Sequence, residues 1–340
     1  MIFGGSIMKY VDTVYGEQEI GEPVILDLIR TASMQRLKKV DQAGFPRPFR
    51  PEDDPVTRFE HSIGVYLLLR KFGASLEEQI AGLLHDVSHS AFSHCIDYMG
   101  SHEAQQKQSH QDDVFEAFVR KSEIPSILDR YGIDTSYILD DSHFPLKETM
   151  LPDLCADRID YSLRTAIASH ACSTNDVRAT LECLTADGGR WIFRTQEAAL
   201  RYATLFSYLN KNRYGALWAA TMLYTVGSVL RHSLENKYIT YEDLYTTDDY
   251  VLEKVERHGG EDRELQKLLD RMYARVPIVH DPSRYHAQVF VKSRAVDPLC
   301  YHEGALARLS DCYEPWKSRL QEEIVPVSFC LQFGGEEEVF

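Results

Sequence analysis

The chain has 340 residues and a net charge of −15, and 44% of its residues are hydrophobic while 26% are charged. This length allows one large domain, or two modest ones, with a sizeable buried core. The negative charge argues against a nucleic-acid backbone as the main partner, because contacts along a phosphate backbone require clustered Lys and Arg residues. A local basic pocket in an acidic protein is still compatible with a small phosphate compound.

The N-terminus and the apolar segments together predict a cytoplasmic protein without a membrane span. The first residues lack the basic stretch and long apolar run of a secretory signal. The most apolar window, residues 216–230, is shorter than the roughly 18 residues of a membrane helix and predicts a core helix. The seven Cys residues are scattered without a CxxC pair, so we expect free thiols, and neither disulfides nor a thiolate zinc site.

Most of the chain has the periodicity of amphipathic helices, with apolar residues three and four positions apart. The predicted helices cover residues 24–40, 62–72, 76–89, 114–122, 151–168 and 197–234. Ser75 is the expected N-cap of the third helix, and Thr240 with Asp243 resembles a capping box. The basic residues of MQRLKK predict a solvated helix face, with Arg36 also a candidate for an effector or oligomer interface.

Irregular segments and strands separate these helices. Residues 45–55, rich in Pro and acidic residues, predict a loop. Strand signals are sparse and are confined to residues 190–195, 285–293 and 325–333. The last seven residues, 334–340, predict a frayed tail. The sequence therefore predicts a mostly α fold with a small β element and a C-terminal α+β appendage.

Six of the thirteen His residues lie within one fifty-residue stretch, between residues 61 and 110. Within it, the segment LLHDVSHSAFSH places His85, Asp86, His89 and His94 where an apolar helix should enter the core. Each buried imidazole or carboxylate needs a partner, and one shared cation would supply a partner to several of them at once. The cluster therefore indicates a metal site.

Two further candidate ligands lie outside this segment. His61 is in RFEHSIGV, between a loop and an apolar helix, and Asp157 is in LCADRIDYSLR, where Asp153, Asp157 and Tyr161 would share one helical face. A set of two imidazoles and two carboxylates suits Mn, Fe, Zn, Ni or Co better than Ca, and it leaves positions for water and substrate. Such a metal lowers the pKa of a bound water and polarises a phosphoryl oxygen.

The segments RFEHSIGV, AGLLHDVSHSAFSH and ADRIDY together resemble the H…HD…D pattern of the HD metal-dependent phosphohydrolase superfamily, and more narrowly its dNTP triphosphohydrolase, dGTPase-like branch. The resemblance begins at MKYVDTVYGEQEI and runs to about residue 255. It implies His61, His85, Asp86 and Asp157 as ligands of a divalent transition metal (Mn, Fe, Ni, Co or Zn), with or without Mg. It also implies an HD-domain helical bundle, for which we expect a metal-site core in residues 1–170, a helical extension packed on it in 171–275, and the appendage in 276–340.

The resemblance also implies catalytic roles. His94 would be the general acid or a phosphate contact, oriented by Asp97 three residues later. His89, four residues after His85, would lie on the same helical face and contact phosphate. His110 matches a later active-site His of the family; Gln111 stands where the family usually has Glu, and His102 is the alternative candidate.

For the substrate, the resemblance implies that Arg58, Arg158 and Tyr161 hold phosphates and that Gln42 faces the sugar. The sequence departs from the family at the nucleoside pocket. Thr165 stands in place of an Asp that contacts the 3′-hydroxyl, and Leu209, Leu217 and Ala219 stand in place of polar pocket residues. A site built to hydrogen-bond a sugar loses much of its discrimination without those partners.

The leading interpretation is a metal-dependent phosphohydrolase acting on a nucleotide phosphate ester, first of all a dNTP that loses triphosphate. Three alternatives stay open. They are a nucleotide monophosphatase or phosphodiesterase of the HD type, an HD-fold di-iron oxygenase with His89 and His110 as extra ligands, and a non-catalytic nucleotide sensor. The resemblance also implies a homo-oligomer.

Overall fold

The computed structural model describes residues 7–100, 105 and 110–334, so the predicted tail and His102 lie outside the described residues except for Gly334. The predicted mostly α fold is confirmed. The helices are α1 (Pro23–Ile29), α2 (Ala32–Gln35), α3 (Arg58–Lys71), α4 (Leu76–Leu84), α5 (His110–Lys121), α6 (Ile124–Arg130), α7 (Thr135–Ile138), α8 (Ala156–Ala168), α9 (Thr174–Glu182), α10 (Gln196–Leu209), α11 (Leu217–Glu235), α12 (Asp248–Gly259), α13 (Arg263–Met272), α14 (Leu309–Cys312) and α15 (Glu314–Glu323). Short 3₁₀ segments cover Arg36–Lys39, Ser93–Met99, Asp141–His143 and Asp243–Tyr245, and a π-helical turn covers Asn210–Tyr214.

Small sheets accompany the helices. The strands are β1 (Met8–Asp12), β2 (Gly16–Ile20), β3 (Leu184–Asp187), β4 (Arg190–Phe193), β5 (Ile278–His280), β6 (Ala287–Val291), β7 (Leu299–His302), β8 (Ala305–Arg308) and β9 (Val327–Phe333). They form a β1-β2 hairpin, a β3-β4-β7-β8 sheet with β4 and β7 parallel, and a β5-β9-β6 sheet. The three predicted strands correspond to β4, β6 and β9. The others have only three to five residues, too few for a period-two pattern to stand out.

Several predicted helix boundaries are wrong. The helix predicted over 24–40 breaks at Thr31, whose side chain accepts a hydrogen bond from the backbone of Met34 and caps α2. The helix predicted over 76–89 ends at Leu84, so His89 is not one helical turn beyond His85. The N-cap predicted at Ser75 is confirmed.

Two later helices are also shorter than predicted. The helix predicted over 151–168 begins only at Ala156, because Cys155 is its N-cap and its side chain accepts a hydrogen bond from the backbone N–H of Arg158. Asp153 therefore does not share a helical face with Asp157 and instead forms an ion pair with Arg308 at 2.5 Å. The helix predicted over 197–234 is interrupted by the π-helical turn Asn210–Tyr214. The reciprocal bonds predicted between Thr240 and Asp243 are present.

Helix α3 lies at the centre of the fold and contributes to two of the three hydrophobic clusters. In one it packs with α1, α4 and α6, and in another with α8, α10 and β4. The third cluster joins α11, α12 and α13 to Val289, Val291 and Leu331 of β6 and β9. The C-terminal strands thus share a core with the helical body, and the subdivision at residues 170 and 275 stays a prediction.

Two glycines let α3 approach its neighbours closely. A Cβ placed on Gly64 would lie 2.1 Å from side-chain atoms of both Asp160 and Arg164 on α8. A Cβ placed on Gly82 of α4 would lie 2.4 Å from Leu69 of α3. These approaches bring the ends of three helices to one place.

The seven Cys residues all lie in the described ranges as free thiols. Among the helices in the described ranges, none has the length and apolar character that a bilayer crossing requires.

Candidate metal centre

The candidate ligands lie at three helix ends. His61 is on the first turn of α3, whose start is set by a capping box at Thr57. His85 and Asp86 directly follow the last residue of α4. Asp157 is on the first turn of α8. Because α3 packs against both α4 and α8, these ends converge.

The ligand atoms of His61, His85 and Asp86 lie close together, and Asp157 Oδ1 lies next to both imidazoles. His61 Nε2 lies 2.9 Å from Asp157 Oδ1 and 3.2 Å from His85 Nε2. His85 Nε2 is 3.4 Å from Asp157 Oδ1 and 3.5 Å from Asp86 Oδ1. Asp86 Oδ2 is 3.6 Å from His61 Nε2. The ligand atoms of His61, His85 and Asp86 all lie within 4.8 Å of one another.

The protonation of the two imidazoles follows from their outer partners. His61 Nδ1 lies 2.8 Å from Asp160 Oδ2, and His85 Nδ1 lies 2.8 Å from the carbonyl oxygen of Gly82. A carbonyl oxygen and a carboxylate accept hydrogen bonds, so both Nδ1 atoms carry the hydrogen. A cation that displaces a proton from Nε2 would make the Nε2 lone pairs of both rings available as ligands beside the carboxylates of Asp86 and Asp157.

This donor set fits a divalent cation. Donors about 2.1 Å from one ion are about 3.0 Å apart in octahedral geometry and about 3.4 Å apart in tetrahedral geometry. Most of the separations above fall in or close to this range. An imidazole ligand whose other nitrogen donates to a carboxylate or carbonyl is also the usual arrangement in metal sites. The cluster supports a divalent metal, with no preference among the mixed nitrogen and oxygen binders.

A buried ionic chain lies behind His61 and was not predicted from the sequence. Asp160 accepts from His61 and, at 2.9 Å, from both Nε and Nη2 of Arg164. Arg164 Nη2 also donates to Asp12 at 3.1 Å. Burial alone would lower the pKa of His61, but its hydrogen bonds to Asp157 and Asp160 outweigh burial and raise that pKa to about 9. The sequence did contain a signal for this chain, because Asp157, Asp160 and Arg164 are three and four residues apart, the spacing at which side chains on a helix can interact.

Arg58 lies beside the centre, but protein groups already accept its hydrogen bonds. Its guanidinium donates to Asp86 Oδ2 at 2.6 Å, to Ser93 Oγ at 2.9 Å and to the carbonyl oxygen of Gln42 at 2.8 Å. Burial would raise the pKa of Asp86, but the neighbouring charge of Arg58 helps to hold it well below its ordinary value. Arg58 and Gln42 both line the cavity described below, and their substrate roles stay predictions.

Arg158 is similarly engaged. It donates to the carbonyl oxygen of Asp153 at 2.6 Å and to Cys155 Sγ at 3.1 Å, and lies 3.7 Å from Glu148. Glu148, Cys155 and Asp157 form a second group of metal-type donors within 4.8 Å of one another. The guanidinium already supplies positive charge there, and burial raises the pKa of the Cys155 thiol, so we assign no metal to this group.

His89 and His94 lie next to the centre with their rings 5.0 Å apart. His89 Nε2 is 3.2 Å from Asp86 Oδ1, and burial and the charge of Arg58 lower the pKa of His89 to about 3. His94 Nδ1 is 3.4 Å from Asp97 Oδ2, and the role of Asp97 in orienting His94 stays a prediction. Burial lowers the pKa of His94, and Asp97 partly opposes that shift.

His110 is turned away from the candidate ligands. Its Nε2 lies 3.0 Å from the hydroxyl of Tyr245, and its backbone N–H donates to Asp97. The neighbouring Gln111 donates to the carbonyl oxygen of His85 at 2.6 Å. Among the described residues, Gln111 lines the cavity and His110 does not.

Arg36 does not extend from a solvated helix face, which corrects the expectation for this residue. Its guanidinium donates to the carbonyl oxygens of Val87 and His89 at 2.7 and 2.6 Å, and to that of Thr246 at 3.3 Å. Burial lowers its pKa to about 10. Arg36 therefore ties the segment after α4 to the segment before α12.

The candidate ligands form part of the wall of a cavity of about 1200 Å³. Other parts of the wall carry Tyr161, Thr165, Tyr214 and Trp218, with the rings of Tyr161 and Tyr214 packed edge to face at 5.5 Å. The basic residues along the wall are Arg58, Arg120, Lys147, Arg158, Arg213, Lys292 and Arg294. Sequence reasoning missed Lys292 and Arg294, because no local pattern links them to the histidine segment.

Comparisons with known proteins agree with this geometry. A family model described as HD domain matches residues 58–165. The uncharacterized protein YdhJ of Bacillus subtilis is 36% identical over 302 residues, covering 86% of this chain and 89% of that protein. The metal-dependent phosphohydrolase cns2 of Cordyceps militaris is 37% identical over 176 residues, covering 52% of this chain and 50% of that protein.

The name of a more distant relative specifies its substrate. The deoxynucleoside triphosphate triphosphohydrolase SAMHD1 of Mus musculus is 31% identical over 149 residues, covering 38% of this chain and 22% of that protein. Among solved structures, a hypothetical protein from Aquifex aeolicus has the same fold, with a TM-score of 0.73 at 17% identity and 96% of each chain covered. The chain belongs to the HD-domain superfamily of metal-dependent phosphohydrolases.

Proposed function

We propose that this protein hydrolyses a phosphate ester of a nucleotide, with a dNTP that loses triphosphate as the first candidate substrate. The observation that carries the proposal is a cluster of donor atoms in the wall of a cavity of about 1200 Å³. The ligand atoms of His61, His85 and Asp86 lie within 4.8 Å of one another, and Asp157 Oδ1 lies 2.9 and 3.4 Å from the two imidazole Nε2 atoms. We propose these four residues as the ligands, and Mn, Fe, Ni, Co or Zn as the metal. When bound, the cation would lower the pKa of a water molecule and polarise a phosphoryl oxygen.

A residue next to the ligands would supply the proton that the leaving group needs. In the reaction, a bond forms between phosphorus and a water oxygen, and the bond from phosphorus to the ester oxygen breaks. His94 lines the cavity and is proposed to donate a proton to that departing oxygen. Because burial lowers its pKa, the imidazolium needs a nearby anion, which Asp97 and the bound phosphate would supply.

The nucleoside end of the cavity supports broad recognition of the sugar. Thr165 has a hydroxyl at the position where the family has a carboxylate that contacts the 3′-hydroxyl of the sugar. Tyr161, Tyr214 and Trp218 supply aromatic surface in the same cavity. A missing hydrogen-bond partner weakens discrimination between sugars. We therefore expect kcat/KM values for the deoxy and ribo forms of one nucleotide to agree within about tenfold.

The proposal is tested with metal-stripped protein reloaded with Mn(II), Fe(II), Co(II), Ni(II) or Zn(II) and assayed on nucleoside mono-, di- and triphosphates, with products resolved by chromatography. His85→Ala and Asp157→Ala should lower kcat/KM by about a thousandfold, because each removes a ligand. His258→Ala is the matched control, since His258 stacks on Tyr238 outside the cavity wall.

The alternatives give different results. Two irons per chain with oxygen consumption would favour an oxygenase, although His110 pairs with Tyr245. Thermal stabilisation by nucleotides without turnover would favour a sensor. No hydrolysis of any nucleotide by protein with one cation per chain would refute the proposal. The homo-oligomeric state and the cytoplasmic location expected from the sequence stay predictions, which sedimentation and fractionation test.

A further inference from the structure

We propose that Lys292 and Arg294, on the segment that follows β6, form a distal anion site that holds the phosphates beyond the one undergoing hydrolysis. The proposal rests on the proposed function, and it specifies the substrate as a nucleotide with at least two phosphoryl groups. The two residues are separated by about two hundred positions in the chain from the candidate metal ligands, yet they line the same cavity.

The segment that carries this pair is anchored from several sides. Strand β6 pairs with β9, and Val291 is buried against α11 immediately before Lys292. The carbonyl oxygen of Phe290 accepts a hydrogen bond from the Tyr98 hydroxyl at 2.8 Å. The backbone N–H of Arg294 donates to Asn210 Oδ1 at 2.9 Å. The two cations are therefore presented to the cavity by a fixed backbone.

Asn210, which holds this backbone, begins the π-helical turn Asn210–Tyr214. Its Nδ2 donates to Ser293 Oγ at 3.2 Å, and Ser293 Oγ in turn donates to the carbonyl oxygen of Glu323. The same turn places the ring of Tyr214 5.9 Å from the Arg294 guanidinium. Single π-helical turns occur frequently at functional sites, and here the turn joins the distal anion site to the wall of the cavity.

The cavity wall carries ten Asp and Glu residues and seven Lys and Arg residues, so an anionic ligand is favoured only where cations adjoin one another, as Lys292 and Arg294 do two positions apart in the chain. Arg58 and Arg158 already donate to protein groups, as described above. Lys292, in contrast, makes no ion pair within 4 Å of another residue in the described part of the chain. Burial lowers the pKa of Lys292, and the charges of Arg294 and Arg158 lower it further. The carboxylates of Asp112 and Glu148 oppose that effect only in part.

The geometry of the guanidinium and ammonium groups suits phosphate. An Arg side chain can bind a phosphate through two parallel N–H donors, and a Lys side chain acts as a mobile point charge. A monophosphate would place its single phosphoryl group at the metal centre and would not extend to the distal anion site. A triphosphate would supply anions to both places, so this pair should separate the two substrate classes.

Steady-state kinetics with dGTP and dGMP on the Mn(II)-loaded protein test the proposal. Lys292→Met and Arg294→Met should each raise the KM for dGTP about tenfold, the change expected for one lost charge-assisted hydrogen bond, with kcat within threefold. The KM for dGMP, if dGMP is turned over, should change less than twofold. Arg294→Lys should fall between wild type and Arg294→Met, and Lys317→Met, on the exposed face of α15, should match wild type.

An unchanged KM for dGTP in both Met variants would overturn the proposal. Equal losses for dGTP and dGMP would also overturn it, because the pair would then act at the reacting phosphate. If wild type hydrolyses no nucleotide, the proposed function fails and the site is tested by itself. Calorimetric binding of inorganic triphosphate, with Mn(II) in excess, should then be about tenfold weaker in both Met variants than in wild type and Lys317→Met. Equal binding by all four proteins, or none by wild type, would refute the distal anion site.

Discussion

Replacing Gly64 by Ala should destabilise the fold by about 3 kcal/mol, although Ala is the better helix former. The added Cβ would lie 2.1 Å from Asp160 Oδ1 and Arg164 Nη2 and 2.7 Å from Asp160 Cγ. Both side chains are almost completely buried and are joined by hydrogen bonds of 2.9 Å. Neither can move without separating α3 from α8 or breaking a charge-assisted bond, each of which costs about 1 to 3 kcal/mol. The gain of about 1 kcal/mol in helix propensity offsets only part of this cost.

Gly82→Ala is the matched control on the other side of α3. Its Cβ would lie 2.4 Å from Leu69 Cδ1 and 3.1 Å from Val65 Cγ1. The closer atom is the end of a flexible side chain, so a change of rotamer relieves most of the overlap. With the same gain in helix propensity, we expect the free energy of unfolding to change by less than about 1 kcal/mol.

The assay is urea unfolding of the metal-free proteins followed by circular dichroism, since a bound cation would add stability by mass action. Calorimetric titration with Mn(II) then measures the second consequence. Gly64→Ala should weaken cation binding about tenfold by displacing Asp160 from His61, whereas Gly82→Ala should leave it within about threefold. Equal losses of stability in the two variants, or full stability in Gly64→Ala, would refute the argument that this close approach positions Asp160.

Three further predictions concern charge. Asp160→Asn removes the carboxylate charge that faces His61 Nδ1 and should weaken Mn(II) binding at least about tenfold by calorimetry. Asp12→Asn, which changes the carboxylate on the far side of Arg164, should weaken it less than about threefold. Asp97→Asn removes the charge that raises the pKa of His94, so the decline of kcat with rising pH should begin at a lower pH than in wild type; an unchanged pH profile would exclude His94 as the acid. Burial raises the pKa of Asp248 from its ordinary 3.8 to about 7, so the folded protein binds this proton more tightly and loses stability as pH rises from about 4 to 7. Asp248→Asn should flatten that loss in urea unfolding between pH 5 and 8, and an equal slope in both proteins would contradict it.

Local chemistry explains what the sequence alone determined. The mostly α class, the N-cap at Ser75 and the reciprocal bonds of Thr240 with Asp243 depend on neighbours within four residues, so periodicity and capping rules predicted them. The four candidate ligands were proposed because the imidazole and carboxylate types are recognisable in short motifs. Family membership followed from those same motifs.

The ends of helices were less predictable, because competing groups decide them. Thr31 offers its side chain to a backbone N–H and breaks the first long helix. The segment after Leu84 leaves the helix, and Arg36 binds its carbonyl oxygens from a distant part of the chain. A helical spacing between His85 and His89 was therefore the wrong reason to place both imidazoles in one cavity.

The tertiary structure alone decided which groups surround the centre. Asp160 lies behind His61, Arg58 is already bound to Asp86, and Lys292 enters the cavity wall from the end of β6. Each of these contacts joins residues 28 to more than 200 positions apart, where no local periodicity operates. These contacts depend on how closely the helices pack at their glycines and on the register of the strands. Burial and the choice of partner are properties of the whole core, and neighbouring residues in the sequence do not determine them.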